Sequence, residues 1–493
     1  MKGIFSALKQ FNSKKMAPNA ITKASQAISF PCLDEIDAVT SNIKQSFSKI
    51  PGYSTAFKIG EVINMEPGLN EPIYAKSNLR YFLYKSTKPL LLDYGGVLPS
   101  FEIAYETWGK LNADKSNAIL IHTGLSASSH ARSSDMNNTP GWWEKFIGPG
   151  SSILDTEKYF IICTNVLGSC FGSSGPPSSD PSDGLPYGTR FPLVSIQDMI
   201  RAQNRLVKDQ FGIKKLYASV GSSMGGMQSL AYGQLFPDEV EKIISISACA
   251  RSHPSSIALR HAQRQVLMND PNWQRGFYYP TPDKPDSNPP YVGMRLARLI
   301  ATISYRSGPE WESRFGTERL NNENPPTLCA DFLVESYLDY QGSKFCFEYD
   351  ANAFLYLSRA MDMFDLSLTG TQRNERRRKA TLAEMQTGKI PIQELKYEPL
   401  NPQKKSKTST TEENLSDLAA GMLPLRNKDI LIIGVKSDIL FPYRQQREIV
   451  DLLGNGPNIK YVELSEEQSL YGHDTFLLDT KYVGSSIGEF INN

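Results

Sequence analysis

Six residues near the middle of the chain, Gly-Ser-Ser-Met-Gly-Gly at 221–226, constrain the fold more than any other segment. An apolar run at 216–220 precedes them, and a helix-like segment starts at Met227. A Gly-x-Ser-x-Gly motif between a strand and a helix predicts a nucleophile elbow, where small residues allow a sharp turn that exposes one serine above a sheet. Ser223 is therefore the predicted nucleophile. A Gly/Ser-rich turn without chemical function is the alternative, because the chain has 35 glycines.

Two loops further along the chain contain the partners that such a serine needs. In an elbow fold the acid and then the histidine follow the serine, each in a loop after a late strand. Residues 429–434 are predicted to form a buried strand and precede Asp438, and the strand predicted at 459–464 precedes His473. Of the five histidines, only His473 follows this acid. The order predicts a triad in which His473 accepts the Ser223 proton and Asp438 orients the imidazole and stabilises its cationic form.

The composition argues against several other classes of protein. The formal net charge is +1, which gives no reason to expect binding to nucleic acid or to a membrane surface. No apolar run is long enough for a spanning helix, which needs about 18 residues. The six cysteines are too widely spaced for a metal site or a disulfide framework, and they predict reduced thiols in an intracellular protein. Neither a metal nor a resident cofactor is therefore predicted.

The N-terminal segment has a composition of its own. Residues 1–33 contain five lysines and several serines but neither Asp nor Glu. This composition is typical of a mitochondrial presequence, although arginine is absent. We therefore expect the segment to direct the protein to the mitochondrial matrix. The alternative is a cytoplasmic protein with a mildly basic tail.

The rest of the chain alternates apolar runs with helical patterns. This alternation predicts an α/β fold, with a mostly parallel central sheet built from residues 70–250 and 427–493 and helices on both faces. Residues 251–369 are helical in pattern and rich in aromatics, which predicts a helical lid over the elbow. Residues 370–426 contain five basic residues at 373–379 and a polar tract, so we expect a disordered or surface insertion there, with solvated charges.

Several further motifs occur in an order typical of one enzyme family. They are Tyr-Glu-Thr-Trp-Gly-Lys-Leu-Asn at 105–112, Gly-Trp-Trp at 141–143, Ile-Gly-Pro-Gly at 147–150, Asn-Val-Leu-Gly-Ser-Cys at 165–170, Gly-Gly-Met-Gln at 225–228, Ser-Asp at 437–438 and Tyr-Gly-His-Asp at 471–474. With these motifs the chain resembles the homoserine O-acetyltransferase family of α/β-hydrolase-fold acyltransferases, over roughly residues 70–370 and 415–490. The resemblance implies transfer of an acyl group from acyl-CoA to an amino-acid hydroxyl through an acyl-serine intermediate.

The resemblance also implies roles for individual residues. Backbone N–H groups of Leu125 and Met224 would form the oxyanion hole. An amino-acid acceptor has a carboxylate and an ammonium, and a buried site must pair both. The residues implied for that pairing are Arg298, Tyr305 and Asp474. Arg295, one turn before Arg298, is the alternative for the carboxylate.

One loop departs from the family pattern. Residues 124–130 read Gly-Leu-Ser-Ala-Ser-Ser-His, where homoserine enzymes more often have Leu-Thr-Gly and a different short segment. The loop adjoins the predicted nucleophile, so its shape is expected to influence which acceptor fits. In this respect the chain looks like the fungal branch of the family that acetylates L-serine. The implied function is serine O-acetyltransferase, converting acetyl-CoA and L-serine into O-acetyl-L-serine and CoA in cysteine biosynthesis.

Other functions stay open at this stage. Homoserine O-acetyltransferase, in methionine biosynthesis, and a succinyl-CoA-dependent serine O-succinyltransferase are the nearest alternatives. An esterase or thioesterase would use the same triad with water, but it has no need for Arg298 and Asp474 beside the nucleophile. An inactive binding module is disfavoured, because all three triad positions are present. The resemblance further implies a homodimer built through the lid, with acetyl-CoA as co-substrate.

Overall fold

Four segments of the chain, 80–285, 288–394, 410–454 and 456–493, are described by the computed structural model. The predicted presequence, residues 1–33, and the start of the predicted core, residues 70–79, lie outside the described residues. Among the helices within those four segments, none has the length and apolar character needed to cross a membrane.

Twelve strands form in the described part of the chain, and eight of them make one sheet. They are β1 (Phe82–Ser86), β2 (Leu90–Leu91), β3 (Val97–Leu98), β4 (Phe101–Trp108), β5 (Ala118–His122), β6 (Ile147–Gly148), β7 (Leu154–Asp155), β8 (Phe160–Thr164), β9 (Leu216–Ser222), β10 (Val240–Ile246), β11 (Asp429–Val435) and β12 (Ile459–Leu464). The central sheet has the order β1-β4-β8-β5-β9-β10-β11-β12. In this sheet β4 alone runs in the opposite direction to the other seven strands. The predicted α/β fold with a mostly parallel sheet is confirmed.

The central strands are short apolar runs because both faces of the sheet are covered. Every residue of β5 and of β8 is buried, which is typical of parallel strands between two helical layers. The apolar run at 118–122 forms β5. The strand predicted at 216–220 continues through Ser222, so it leads directly into the turn at Ser223.

Twelve α-helices surround the sheet in the described segments. They are α1 (Ile196–Phe211), α2 (Met224–Leu235), α3 (Pro254–Met268), α4 (Tyr291–Tyr305), α5 (Gly308–Phe315), α6 (Leu333–Glu348), α7 (Ala351–Asp362), α8 (Leu368–Gln386), α9 (Thr411–Gly421), α10 (Tyr443–Leu453), α11 (Thr475–Leu478) and α12 (Ser485–Asn492). One face of the sheet packs against α1, α2, α9 and α10. The other face packs against α12 and the aromatic segment around Trp143.

Five helices, α3 to α7, lie between β10 and β11 in the segment predicted as a lid. Backbone hydrogen bonds join the two ends of this insertion, from Ser252 N to the Phe364 carbonyl and from Leu366 N to the Ala250 carbonyl, both 3.0 Å long. The C-terminal half of α7, including Leu357, packs into the same apolar cluster as α1 and α2. The insertion is therefore anchored to the core at its base, which fixes one wall of the cavity described below.

Residues 370–426 differ from the prediction. The described parts of this segment form most of α8, all of α9 and a short turn, so the expected disorder is wrong there, whereas residues 395–409 lie outside the description. Both helices have capped N-termini: Ser367 Oγ accepts a bond from Gly370 N at 3.1 Å, and Thr410 forms a capping box with Glu413.

In the basic cluster at 373–379 on α8, only Arg378 is half-buried, and it interacts electrostatically with two buried carboxylates, Asp93 and Asp198. The other four basic side chains of the cluster are exposed. Arg201 Nη1 is 2.7 Å from Asp93 Oδ1 and 2.8 Å from Asp198 Oδ1. Burial and the charge of Arg201 lower the pKa of Arg378, and they outweigh the two carboxylates, which raise it. Local composition reveals the positive charge of α8 but not these partners, which come from a distant part of the sequence.

Candidate active site

Ser223 occupies the sharp turn between β9 and α2, with φ 58° and ψ −126°. A non-glycine residue seldom adopts this conformation, and it persists only where the surrounding structure holds it. Here Ser223 N donates to the Ile246 carbonyl at 2.9 Å. A Cβ atom on Gly221 would lie 2.0 Å from the Gly225 carbonyl oxygen, and one on Gly225 would lie 2.3 Å from that of His122. The two glycines of the motif therefore permit the close approach that creates the turn.

The three residues of the predicted triad are joined by hydrogen bonds. Ser223 Oγ is 2.8 Å from His473 Nε2, and His473 Nδ1 is 2.7 Å from Asp438 Oδ2. The other oxygen of Asp438 accepts backbone bonds from Leu440 at 2.9 Å and Phe441 at 2.8 Å. With its Nδ1–H donated to the carboxylate, the imidazole has Nε2 available to accept the serine proton. The geometry is that of an activated serine nucleophile.

Aromatic side chains hold the imidazole plane. The ring of Phe441 stacks on His473 with centroids 5.1 Å apart, and Phe476 meets it edge-on at 5.2 Å. The loops that carry the acid and the histidine are also tied together, because Ser437 Oγ donates to the Ser469 carbonyl at 2.9 Å and accepts from Gly472 N at 3.2 Å. The motif Ser437-Asp438 thus supplies the acid and a serine whose hydrogen bonds connect the two loops.

Of the predicted oxyanion-hole residues, Met224 directly follows Ser223 and Leu125 lines the same cavity. Met224 is the first residue of α2, three residues earlier than the predicted helix start, so its N–H has no acceptor within the helix. Leu125 lines the same cavity as Ser223. The loop before Leu125 is held to α2 by Gln228 Nε2, which donates to the Thr123 carbonyl at 2.9 Å. Two N–H groups at these positions can stabilise negative charge on a carbonyl oxygen near Ser223.

A cavity opens at Ser223 and His473, and the lid supplies much of its wall. Its charged and polar lining includes Arg260, Gln263, Arg298, Tyr305 and Asp474. All three residues predicted to bind an amino-acid substrate therefore face the cavity of the predicted nucleophile. The rival arginine, Arg295, is not in this wall; its Nη2 lies 2.6 Å from Asp339 Oδ1, in the packing of α4 against α6.

Arg298 is held by aromatic rings. Its side chain projects from α4, the residue is only 6% exposed, and its guanidinium lies 4.3 Å from the Phe345 ring centre and 5.0 Å from that of Tyr305. Tyr305 OH is in turn 3.0 Å from Thr302 Oγ1. Stacking on aromatic faces is a common way to orient a planar guanidinium for recognition of a carboxylate.

Asp474 has a neighbour that sequence reasoning missed. Its Oδ2 lies 3.4 Å from Nε of Arg306, a fully buried residue that also bonds Glu310 and, at 3.1 Å, Tyr337 OH. The carboxylate predicted to meet a substrate ammonium is therefore already part of a buried ion-pair network. No pattern around Arg306 signals this role, because its partner Asp474 is far away in the sequence.

The loop at 124–130 divides into two parts. Ser126 lines the cavity together with Ala127, whereas Ser129 Oγ donates to Glu106 Oε1 at 3.1 Å. The ring of His130 lies between Glu106 Oε2 at 2.9 Å and the Thr139 carbonyl at 2.7 Å. Burial lowers the pKa of His130, but these two hydrogen bonds and the charge of Glu106 outweigh it and leave the pKa raised. Only the first part of the loop is thus in a position to contact an acceptor.

Thiol and metal chemistry have little support in the described part of the chain. Burial raises the pKa of the Cys163 and Cys249 thiols, which makes them poor nucleophiles. Within the described segments no group of three or more His, Cys, Asp or Glu side chains is arranged to hold a metal ion.

Comparison with known proteins places the chain in a family. Residues 117–480 match the family described as having the α/β hydrolase fold. The structure of homoserine O-acetyltransferase from Bacillus anthracis superposes with a TM-score of 0.65 at 24% identity, covering 84% of this chain and 99% of that one. Esterase E22 superposes with a TM-score of 0.64 at 22% identity, covering 84% and 99%. At these identities the structural likeness establishes the fold alone.

Sequence relatives narrow the assignment. A serine O-succinyltransferase from Emericella nidulans is 51% identical, across 99% of this chain and 92% of its own length. A serine O-succinyltransferase from Schizosaccharomyces pombe is 47% identical, across 94% of each chain. A homoserine O-acetyltransferase from Moorella thermoacetica is 38% identical, across 83% of this chain and 95% of its own. The chain therefore belongs to the α/β-hydrolase family and, within it, to the acyltransferases that act on amino-acid hydroxyl groups.

Proposed function

We propose that this protein is a serine O-acyltransferase that forms a covalent acyl intermediate on Ser223. The observation that carries the proposal is the charge arrangement of the cavity: Arg298 and Asp474 line the same space as Ser223 and His473. A free amino acid has a carboxylate and an ammonium, and burying it requires a partner for each. An esterase that transfers acyl groups to water has no such need.

The first half reaction acylates the enzyme. Ser223 Oγ attacks the thioester carbonyl carbon of acyl-CoA, and its proton passes to His473 Nε2. The carbonyl oxygen gains negative charge, which the N–H groups of Leu125 and Met224 stabilise; one such donor is worth about 2.7–4 kcal/mol in other enzymes. The C–S bond then breaks, and CoA leaves as a thiol with the proton from the imidazolium. Asp438 stabilises that imidazolium throughout.

The second half reaction transfers the acyl group to the acceptor. The acceptor hydroxyl attacks the ester carbonyl carbon on Ser223, and His473 Nε2 takes its proton. The C–O bond to Ser223 breaks, and Oγ regains a proton from the imidazolium. Arg298 binds the carboxylate of the acceptor. Asp474 binds its ammonium group, and Arg306 holds the Asp474 side chain in place. The mechanism needs no cofactor besides the acyl-CoA substrate.

The choice of acceptor and donor follows from different observations. L-Serine is favoured as acceptor because two relatives at 47–51% identity are named serine O-succinyltransferases. In addition, Ser126 and Ala127, which belong to the loop that departs from the homoserine pattern, line the cavity beside Leu125. The same two names favour succinyl-CoA over the acetyl-CoA suggested by the sequence motifs. An O-acylserine has a good leaving group on its β-carbon, which suits the proposed place in cysteine biosynthesis.

Kinetics with two acceptors and two donors test this proposal. We expect kcat/KM for L-serine to exceed that for L-homoserine by about 10- to 100-fold, because one methylene changes binding by roughly 1–3 kcal/mol in a fitted pocket. The measurement uses succinyl-CoA and acetyl-CoA with each acceptor and follows CoA release. A preference for homoserine would make the protein a homoserine O-acyltransferase, and CoA release independent of any amino acid would make it a thioesterase.

The triad residues should act as one unit. We expect His473→Ala and Asp438→Asn each to lower kcat by about 10³–10⁴-fold, and adding either change to Ser223→Ala to cause little further loss. Circular dichroism of each variant controls for folding. If the losses are additive, His473 and Asp438 contribute something other than activation of Ser223.

Arg298 should matter to the second half reaction more than to the first. Arg298→Lys keeps the charge but loses the planar fork that binds a carboxylate through two hydrogen bonds, so we expect kcat/KM for the acceptor to fall about 10- to 100-fold. CoA release in a single turnover without acceptor should change far less. The matched control is Arg295→Lys on the same helix, which should leave both half reactions nearly intact. Equal losses in both half reactions of Arg298→Lys would remove Arg298 from the acceptor site.

A further inference from the structure

A tyrosine of the lid contacts the loop that carries one of the predicted oxyanion donors. Tyr349 directly follows α6, and its OH donates to the Leu125 carbonyl at 2.6 Å. The residue is only 6% exposed, and burial raises the pKa of Tyr349 well above its ordinary value. The hydroxyl therefore keeps its proton and can act as a donor. The proposed mechanism gives this tyrosine no role.

The Leu125 N–H belongs to the peptide unit that joins Gly124 to Leu125. Gly124 lines the cavity, and a Cβ atom on it would have no neighbour within 4 Å in the described structure apart from the adjacent residues. Glycine also allows a wide range of backbone angles. Packing at Gly124 therefore does not fix the direction of the Leu125 N–H, which depends on the peptide units on either side.

Each of those two flanking units is held through its carbonyl oxygen. Gln228 Nε2, on α2, donates to the Thr123 carbonyl at 2.9 Å, and Tyr349 OH donates to the Leu125 carbonyl. Because a peptide unit is planar, a fixed carbonyl restricts the orientation of the whole unit. Two restricted units leave the unit between them little freedom to rotate.

The next carbonyl groups of the same loop are held by the core. Asn165 Nδ2 donates to the Ala127 carbonyl at 3.4 Å, and Trp142 Nε1 donates to the Ser128 carbonyl at 3.0 Å. Asn165 directly follows β8, and Trp142 packs in the aromatic cluster against the sheet. The contact of Tyr349 comes from the lid instead, so the support of this loop is divided between the two parts of the protein.

The ring of Tyr349 is held independently of its hydroxyl. It stacks on Phe345 with centroids 5.1 Å apart and an interplanar angle of 12°, and Phe171 meets it edge-on at 5.5 Å. The Phe345 ring also lies 4.3 Å from the guanidinium of Arg298. A change that removes only the hydroxyl of Tyr349 therefore keeps the aromatic support of Arg298.

We propose that Tyr349 is a positioning residue of the lid, which holds the Leu125 N–H in place to stabilise the oxyanion of both half reactions. This inference rests on the proposed acyl transfer and adds a residue to it. An oxyanion donor is effective when it is in place before the charge develops, and a displacement of about 1 Å can cost roughly 100-fold in rate. The lid thus contributes to the chemical step as well as to the cavity wall.

Tyr349→Phe tests the proposal in both half reactions. We expect kcat to fall about 10- to 100-fold, because the Leu125 carbonyl loses its contact with the lid. CoA release in a single turnover without acceptor, and transfer from the acyl-enzyme to L-serine, should slow by similar factors. Equal slowing keeps the KM values for acyl-CoA and L-serine within about threefold of wild type. Unchanged rates, or a raised KM for L-serine with kcat retained, would overturn the proposal.

Tyr356→Phe is the matched control. Tyr356 is buried on α7, also in the lid, and its OH donates to the Phe191 carbonyl at 2.5 Å, outside the cavity wall. This variant loses the same kind of hydrogen bond, so it should lower the melting temperature and keep both half reactions. An equal loss of rate in the two variants would assign the effect to the stability of the lid, contrary to the proposal.

A third replacement separates the hydrogen bond from the shape of the ring. Incorporation of 4-aminophenylalanine at position 349 restores an N–H donor at the end of the ring. We expect most of the rate lost in Tyr349→Phe to return. A rate no higher than that of Tyr349→Phe would mean that the hydroxyl does not act as a donor to Leu125.

Failure of this inference and failure of the proposed function remain distinguishable. CoA release is measured without acceptor, so it does not depend on whether the acceptor is serine, homoserine or water. A thioesterase would contradict the proposed function and still show the effect of Tyr349→Phe. A serine acyltransferase that is insensitive to Tyr349→Phe would contradict this inference alone.

Discussion

The strained backbone at Ser223 is the feature on which the rest of the site depends. It persists because β5, β9 and α2 approach each other so closely that neither Gly221 nor Gly225 has room for a Cβ atom. The same turn places Oγ within 2.8 Å of His473 and makes Met224 the first residue of a helix. One constraint on packing thus fixes the nucleophile, one oxyanion donor and the mouth of the cavity.

Around this turn the cavity contains two separate charge arrangements. The triad lies on the sheet side and moves one proton. In the proposed mechanism Arg298 and Asp474, the latter joined to buried Arg306, match the two charges of an amino acid.

The catalytic triad can be predicted from the sequence, because the patterns that reveal it lie within short segments of the chain. Each triad residue, Ser223, Asp438 or His473, follows a strand whose apolar run can be recognised in the sequence alone. Their order along the chain is the order that the fold requires. Arg306 could not be found in this way, because the carboxylate that it pairs with, Asp474, comes from a distant segment. The order of helix α8 is hidden for the same reason, because its Arg378 interacts with Asp93 and Asp198, which lie far earlier in the sequence.

The central claim is that Ser223 becomes covalently acylated before an acceptor enters. Incubating the enzyme with succinyl-CoA in the absence of amino acid, quenching in acid and mapping the modified peptide by mass spectrometry tests this claim directly. We expect one succinyl group per chain, attached to Ser223, and its disappearance when L-serine is added before the quench. Modification of a cysteine, or turnover to O-acylserine with no acyl-enzyme detectable in a single turnover, would contradict the account.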